Sequence, residues 1–229
     1  MKLGGTVTIN NLFYDTLGSG KKEIVFLHGF GGSHHCFKAL ASHLDSNFKS
    51  YLLDLPGFGE SKLERAFNLN DYAKSINDFI INMKIDNPLI IGHSFGGRIA
   101  LKMAELYHYK IILISTPIYD YRTLKTRVKL LANKLFKISK PSADYKNASP
   151  LMRQTMNNVF SDMKKISFKN IDGNKVLIIY ANNDKVVPKR VAYYGKRKMH
   201  GSGLIEIKGN HFAYLKETVL LSKVIENYA

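Results

Sequence analysis

The stretch Gly92-His93-Ser94-Phe95-Gly96-Gly97 decides the fold of this 229-residue chain. It follows a short apolar run at 89–91 and precedes a helical pattern at 98–107, which predicts a serine on a tight turn between a buried strand and a helix. Flanking side chains would clash in such a turn, and the glycines at 92 and 96 remove their Cβ atoms. We expect the Ser94 hydroxyl to project above a sheet, where the helix N-terminus stabilises developing negative charge.

Outward from this turn, short apolar runs alternate with helical patterns. The runs lie at 23–27, 48–53, 110–114, 176–180 and 204–207, and helices are predicted at 71–83, 188–199 and 212–228. Such alternation predicts an α/β fold with a mostly parallel sheet flanked by helices. Residues 7–14 are predicted as one further strand, and residues 18–22 as a polar hairpin turn.

The alternation breaks between residues 117 and 174, where two helical patterns occur without a good strand. We therefore predict a core over 1–116, a short helical cap insertion over 117–174 and a second core segment over 175–229. Two apolar stripes in the insertion indicate either the underside of a cap over a pocket or ordinary core packing; they are Leu124, Val128, Leu131, Leu135 and Ile138, and Met152, Met156, Val159 and Met163.

A serine hydroxyl is a poor nucleophile unless a base accepts its proton. His211 is the best candidate, because it lies in Gly209-Asn210-His211-Phe212 between the last predicted strand and the last helix. Asp184 directly follows the 176–180 strand and would hold the imidazole tautomer. Asp120, after the preceding strand, is the alternative acid.

The remaining histidines receive other interpretations. His28 ends a buried strand and is expected to be structural. Four more are expected to be surface residues: His34, His35, His43 and His108. His200 is the nearest competitor for the base, but it lies at a predicted helix end before the final strand.

A reaction through Ser94 also needs backbone N–H groups to hold a negatively charged oxygen. One should belong to Phe95, the residue after the nucleophile. The other is expected from the loop 28–33, which follows an earlier strand, with the Phe30 N–H as the candidate.

These motifs together resemble the α/β-hydrolase superfamily, and more closely its small serine esterase branch with a short helical cap. The resemblance rests on the 28–33 loop, Asp54-Leu55-Pro56-Gly57-Phe58-Gly59-Glu60-Ser61, the Ser94 turn, Asp184 and Gly209-Asn210-His211-Phe212, which occur in this order. It implies carboxylic ester hydrolysis through an acyl-enzyme on a small acyl-ester substrate, without a metal or another cofactor. Some similar proteins with these three residues are lyases or cofactor-free peroxidases, which the motifs do not exclude.

The chain carries a formal charge of +16, and residues 117–174 hold twelve Lys and Arg against four Asp, a net +8. These cations are either a solvated surface or a dock for an acidic acyl carrier protein, an anionic lipid surface or a negatively charged substrate. The second interpretation raises an alternative function, an esterase or thioesterase acting on a carrier-bound acyl chain. A non-catalytic binding module on a hydrolase scaffold is a further alternative.

Nucleic acid is not an expected partner, because no recognised nucleic-acid motif accompanies the charge. The single cysteine, Cys36, excludes an internal disulfide. With no long apolar run and no signal-like N-terminus, we expect a soluble cytoplasmic protein.

Overall fold

The structure is a computed structural model that describes residues 7–9, 11–119 and 149–229. The described residues form one eight-stranded sheet with the spatial order β1-β2-β4-β3-β5-β6-β7-β8. The strands are β1 (Val7–Ile9), β2 (Leu12–Gly18), β3 (Lys22–Leu27), β4 (Phe48–Leu53), β5 (Leu89–His93), β6 (Ile111–Ile114), β7 (Val176–Ala181) and β8 (Gly203–Ile207). The pairs β1–β2 and β2–β4 are antiparallel, and the other pairs are parallel. The predicted α/β fold is confirmed.

Helices cover both faces of this sheet. Those among the described residues are α1 (Lys38–Ala41), α2 (Leu69–Asn82), α3 (Phe95–Tyr107), α4 (Pro150–Asp162), α5 (Lys189–Lys198) and α6 (Thr218–Tyr228). Alternate residues of a strand point to opposite faces, so both sets must be apolar where both faces are covered. Ile90 packs in the cluster that includes α2 and α3, whereas its neighbour Ile91 packs in the cluster that includes α6.

Three local predictions are wrong. Residues 7–14 form two strands rather than one, because Asn11 adopts a left-handed conformation with φ 63° and Ile9 pairs with Leu12. Residues 18–22 are not a hairpin turn, since β4 pairs with both β2 and β3 and lies between them. The C-terminal segment begins with a 3-10 turn at Ala213–Leu215, and α6 starts only at Thr218.

Helix α4 lies in the chain between β6 and β7. Its apolar stripe of Met152, Met156 and Val159 is buried, as is Met163, which follows the helix. The other predicted stripe, at 124–138, lies outside the described residues, and the division into core and cap stays a prediction. No helix in the described ranges is long and apolar enough to cross a membrane.

Candidate active site

The predicted site residues all follow the carboxyl ends of parallel strands. Phe30 follows β3, Ser94 follows β5, Asp184 follows β7 and His211 follows β8. Parallel strands end at the same edge of a sheet, and this edge is where ligands of open α/β sheets bind. The topology therefore brings four distant parts of the chain to one edge.

Ser94 occupies the tight turn between β5 and α3. Its φ of 49° and ψ of −104° lie in a region that non-glycine residues rarely adopt, so the serine is held in a strained conformation. A Cβ on Gly92 would lie 2.5 Å from the Gly96 carbonyl oxygen, and a Cβ on Gly96 would lie 2.1 Å from the Leu27 carbonyl oxygen. Both contacts are with backbone, so neither position admits a side chain.

The Ser94 turn is anchored to the strands on both sides. The Ser94 N–H donates to the Ile114 carbonyl oxygen at 3.0 Å, and the Gly96 N–H donates to the His28 carbonyl oxygen at 3.1 Å. These bonds join the turn to the ends of β6 and β3. Ser94 itself is half-buried, whereas its neighbours in the turn are buried.

Asp184 and His211 form a buried pair next to this turn. The distance between His211 Nδ1 and Asp184 Oδ2 is 2.8 Å. Asp184 Oδ1 accepts from the backbone N–H groups of Val186 and Val187, both at 2.8 Å. The carboxylate can only accept, so Nδ1 carries the proton in neutral His211 and Nε2 is left as a proton acceptor.

The ionisation of Asp184 suits this arrangement. Burial acts to raise the pKa of its carboxyl group, but the hydrogen bonds from His211, Val187 and Val186 outweigh it and hold that pKa below its ordinary value. Asp184 is therefore charged at neutral pH, where its carboxylate can accept the Nδ1–H of His211 and so fix the tautomer of that ring.

His93 connects this pair to the Ser94 turn. It is the residue before Ser94, and its Nε2 lies 3.0 Å from the His211 carbonyl oxygen. The centroids of the His93 and His211 rings are 4.8 Å apart. Burial and the nearby His211 lower the pKa of His93 to about 3, so this imidazole is neutral.

The loop that carries Phe30, one of the two predicted N–H donors, passes close to Ser94. A Cβ on Gly29 would lie 3.6 Å from the Ser94 Cβ, so the backbone beside Phe30 borders Ser94. Phe95 is the first residue of α3, and the first N–H groups of a helix have no acceptor within it. The rings of Phe30 and Phe95 meet edge to face with centroids 6.2 Å apart.

A cavity of about 690 Å³ opens beside this loop. Its lining comes from the Phe30 loop, from the segment that follows β4 and from the start of α4, and includes Phe30, Gly57, Phe58, Leu63, Leu151 and Met152. The charged Lys62 and Glu64 also line it. Ser94, Asp184 and His211 are not lining residues, so the cavity meets the predicted site through the Phe30 loop.

The structure separates the other histidines by role. His28 is buried, accepts the Leu55 N–H at Nε2 and lies 2.7 Å from the Gly29 carbonyl oxygen through Nδ1. Burial lowers the pKa of His28 to about 4, so it is a neutral structural residue. His35, His43 and His108 are exposed, as expected, and His200 is exposed as well.

His34 was expected at the surface, and this prediction is wrong. Its side chain is only 11% exposed, and its Nδ1 lies 2.9 Å from Asp54 Oδ1. Asp54 is completely buried and also accepts the backbone N–H groups of His34 and Glu60. The buried Asp54 carboxylate needs hydrogen-bond donors, and the local backbone supplies only some of them. The His34 imidazole supplies a further donor.

Two structural features escaped the sequence analysis: the His34–Asp54 pair and the His93–His211 bond. Asp54 has a local signal, because it ends a buried strand and begins a glycine-rich turn. His93 has a weaker sequence signal, since it is a polar residue at the last position of an otherwise apolar strand.

The alternative acid, Asp120, lies outside the described residues, as does the basic segment 121–140. Within the described ranges, no cluster of metal-ligating side chains is found.

Comparison with known proteins agrees with the fold and the order of these elements. Residues 22–118, which include β3 to β6 and the Ser94 turn, match the model of the alpha/beta hydrolase fold family. The chain has the α/β-hydrolase fold, and the predicted resemblance to that superfamily is confirmed.

Several solved structures share this fold across nearly their full length. A protein of Acinetobacter baumannii, provisionally assigned as a lipase, is 21% identical with a TM-score of 0.77, covering 97% of this chain and 89% of that one. An esterase from Exiguobacterium antarcticum is 20% identical with a TM-score of 0.71, covering 95% and 94%. A serine hydrolase from Cycloclasticus zankles is 15% identical with a TM-score of 0.76, covering 98% and 96%.

Proposed function

We propose that this protein is a serine hydrolase that cleaves carboxylic esters, with Ser94 as nucleophile, His211 as base and Asp184 as the residue that orients the base. The observation that supports this most is the strained turn at Ser94, held at the same sheet edge as the buried Asp184–His211 pair at 2.8 Å. A strained backbone conformation of this kind persists where the surrounding structure imposes it, and such conformations are common at catalytic residues. The similar esterases and serine hydrolase add fold-level support only.

The proposed reaction has two halves. Ser94 Oγ attacks the ester carbonyl carbon while His211 Nε2 takes the hydroxyl proton, and the N–H groups of Phe30 and Phe95 hold the negatively charged oxygen. The intermediate collapses, and the alcohol leaves with the proton from His211. Water then attacks the acyl-enzyme with His211 again as base, which releases the acid and restores Ser94.

The cavity beside Phe30 favours an apolar group on the substrate. A volume of about 690 Å³ is in the range of small-molecule pockets. Phe58, Leu63 and Met152 supply apolar surface, so a short acyl chain or an apolar alcohol would be removed from water there. The proposed substrate class is a small ester whose acyl group or alcohol group is apolar.

A fluorophosphonate probe tests the nucleophile directly. We expect it to label the wild type at Ser94, as located by mass spectrometry of the digested protein, and to leave Ser94→Ala unlabelled. In parallel, p-nitrophenyl esters of increasing acyl length should be hydrolysed, with a preferred length. Failure of the folded wild type both to react with the probe and to cleave any ester would overturn the proposal and favour the binding module.

Docking of an acidic acyl carrier protein or another anionic partner at the basic insertion stays a prediction, because its main segment lies outside the described residues. Reversing Arg122, Lys125, Lys129 and Lys137 to Glu tests it. If they attract an anionic partner, KM for an anionic or carrier-bound ester should rise in a salt-dependent way, while hydrolysis of a neutral ester should stay unchanged. Equal effects on both substrates would indicate a solvated surface.

A further inference from the structure

His93 lies where three functional segments meet. It ends β5, and only 2% of its surface is exposed. Its ring contacts the His211 ring, and it lies 4.4 Å from the Tyr214 ring between centroids. On the side of the Phe30 loop, a Cβ on Gly29 would approach His93 Nδ1 to 2.7 Å. The imidazole therefore fills the space between the Ser94 turn, the His211 loop and the Phe30 loop.

The polar atoms of His93 have distinct surroundings. Nε2 lies 3.0 Å from the His211 carbonyl oxygen, and because a carbonyl can only accept, Nε2 carries the proton. Nδ1 is then unprotonated, and it is buried without a hydrogen-bond partner among the described residues. The protein leaves one buried acceptor unsatisfied to keep the Nε2–H bond, which contributes to holding the His211 backbone.

A direct part in proton transfer does not fit this arrangement. Burial lowers the pKa of His93 to about 3, and its single proton is committed to the His211 carbonyl. Its unprotonated nitrogen lies beside Gly29, where a Cβ would approach it to 2.7 Å. The His93 imidazole is therefore a neutral structural group and does not act as a second base.

We propose that His93 is a positioning residue that sets the placement of His211 relative to Ser94 through its bond to the His211 backbone. The bond joins residues 118 positions apart, and one of them adjoins the nucleophile in the chain. Asp184 is hydrogen-bonded to the His211 ring, while His93 is hydrogen-bonded to the His211 backbone. This role rests on the proposed serine hydrolase function, because it concerns the approach of His211 to Ser94.

The test compares two variants of similar size and shape. In His93→Gln the side-chain amide can place a donor near the position of Nε2, whereas His93→Met fills similar space without any donor. We expect kcat of His93→Met to fall about 10- to 100-fold, since small displacements of a catalytic group have effects of this size. We expect His93→Gln to stay within about threefold of the wild type. KM should change little in both, because the substrate cavity lies elsewhere.

A readout independent of turnover accompanies the kinetics. The His211 Nδ1 proton bonded to Asp184 should give a strongly downfield NMR signal that Asp184→Asn removes. We expect this signal to shift or broaden in His93→Met and to persist in His93→Gln, with far-UV circular dichroism unchanged in both. Circular dichroism thus separates lost positioning from lost folding, and the glutamine variant keeps the test informative if the methionine variant is unstable.

The outcomes separate the two proposals. An inactive, probe-resistant wild type would overturn the ester hydrolase function, whatever the NMR signals show. An active wild type with full kcat and an unchanged signal in folded His93→Met would overturn the positioning role alone. Equal losses in the glutamine and methionine variants would also overturn it, because the donor would then be irrelevant.

Discussion

Two histidine–aspartate pairs lie near the same edge of the sheet, and their hydrogen bonds are almost identical. His211 Nδ1 lies 2.8 Å from Asp184, and His34 Nδ1 lies 2.9 Å from Asp54. Both carboxylates are buried, and each follows the end of a parallel strand. Bond length and burial therefore do not distinguish a catalytic pair from a structural one.

The surroundings of the two histidines differ. The His34 ring packs against Phe13 and His35, and Asp54 holds the loop 54–61 through the Glu60 N–H. The His211 ring instead contacts His93, which adjoins Ser94. A histidine–aspartate pair can simply satisfy a buried carboxylate, and the chemical role proposed for Asp184 and His211 depends on Ser94 as the proposed nucleophile.

The largest expected effect comes from removing the Ser94 hydroxyl. Ser94 adjoins His93, which contacts the Asp184–His211 pair and not the Asp54–His34 pair. Ser94→Ala should lower kcat/KM for a p-nitrophenyl ester by on the order of a million-fold, because it removes the proposed nucleophile. The melting temperature should stay close to that of the wild type. Activity within tenfold of the wild type would make the two pairs equivalent and the mechanism wrong.

The histidines themselves give the next comparison. His211→Ala should lose activity by a factor similar to that for Ser94→Ala, because the hydroxyl then has no base. His34→Ala should keep most of its activity and lose stability, since it leaves a buried carboxylate short of a donor. His108→Ala and His200→Ala serve as exposed controls. A greater activity loss in His34→Ala than in His211→Ala would reverse the assignment.

The aspartates extend the contrast. Asp184→Asn should lower kcat by on the order of 10⁴-fold, through the wrong imidazole tautomer. Asp54→Asn should lower the free energy of unfolding by about 1–3 kcal/mol, because an amide cannot accept all of the donors around Asp54. Urea unfolding and ester kinetics on both variants check this. Near-normal activity in Asp184→Asn would indicate that the acid lies elsewhere, with Asp120 as the alternative.

The smallest effect concerns the cavity, whose lining includes none of the four residues of the two pairs. Leu151→Trp should narrow it and lower kcat/KM for longer acyl esters about tenfold relative to the acetate ester, a difference typical of lost apolar contacts. Ile81→Trp is the matched control, because Ile81 is 62% exposed on α2. An unchanged chain-length preference in Leu151→Trp would mean that the substrate does not use this cavity.

The sequence predicted the elements near Ser94 well because their signals are local. Gly92 and Gly96 flank a serine between an apolar run and a helical pattern, and the clash that excludes a Cβ at Gly92 lies within this turn. The clash at Gly96 is with the Leu27 carbonyl oxygen of β3, a contact that only the tertiary structure shows. The N-terminal hairpin was missed, because the left-handed conformation of Asn11 leaves little trace in the alternation of residues 7–14. His34 was misplaced because its burial depends on Asp54, twenty residues away in the chain.

The sequence by itself determined the α/β class, the strained turn at Ser94 and the order of the candidate catalytic residues. Each follows from steric and hydrophobic patterns that extend over a few residues. Only the tertiary structure decided that His93 holds the His211 backbone and that Asp54 pairs with His34. These contacts depend on how parallel strands align their ends, and the sheet order β4-β3-β5-β6-β7-β8 that sets this alignment arises from packing between distant segments.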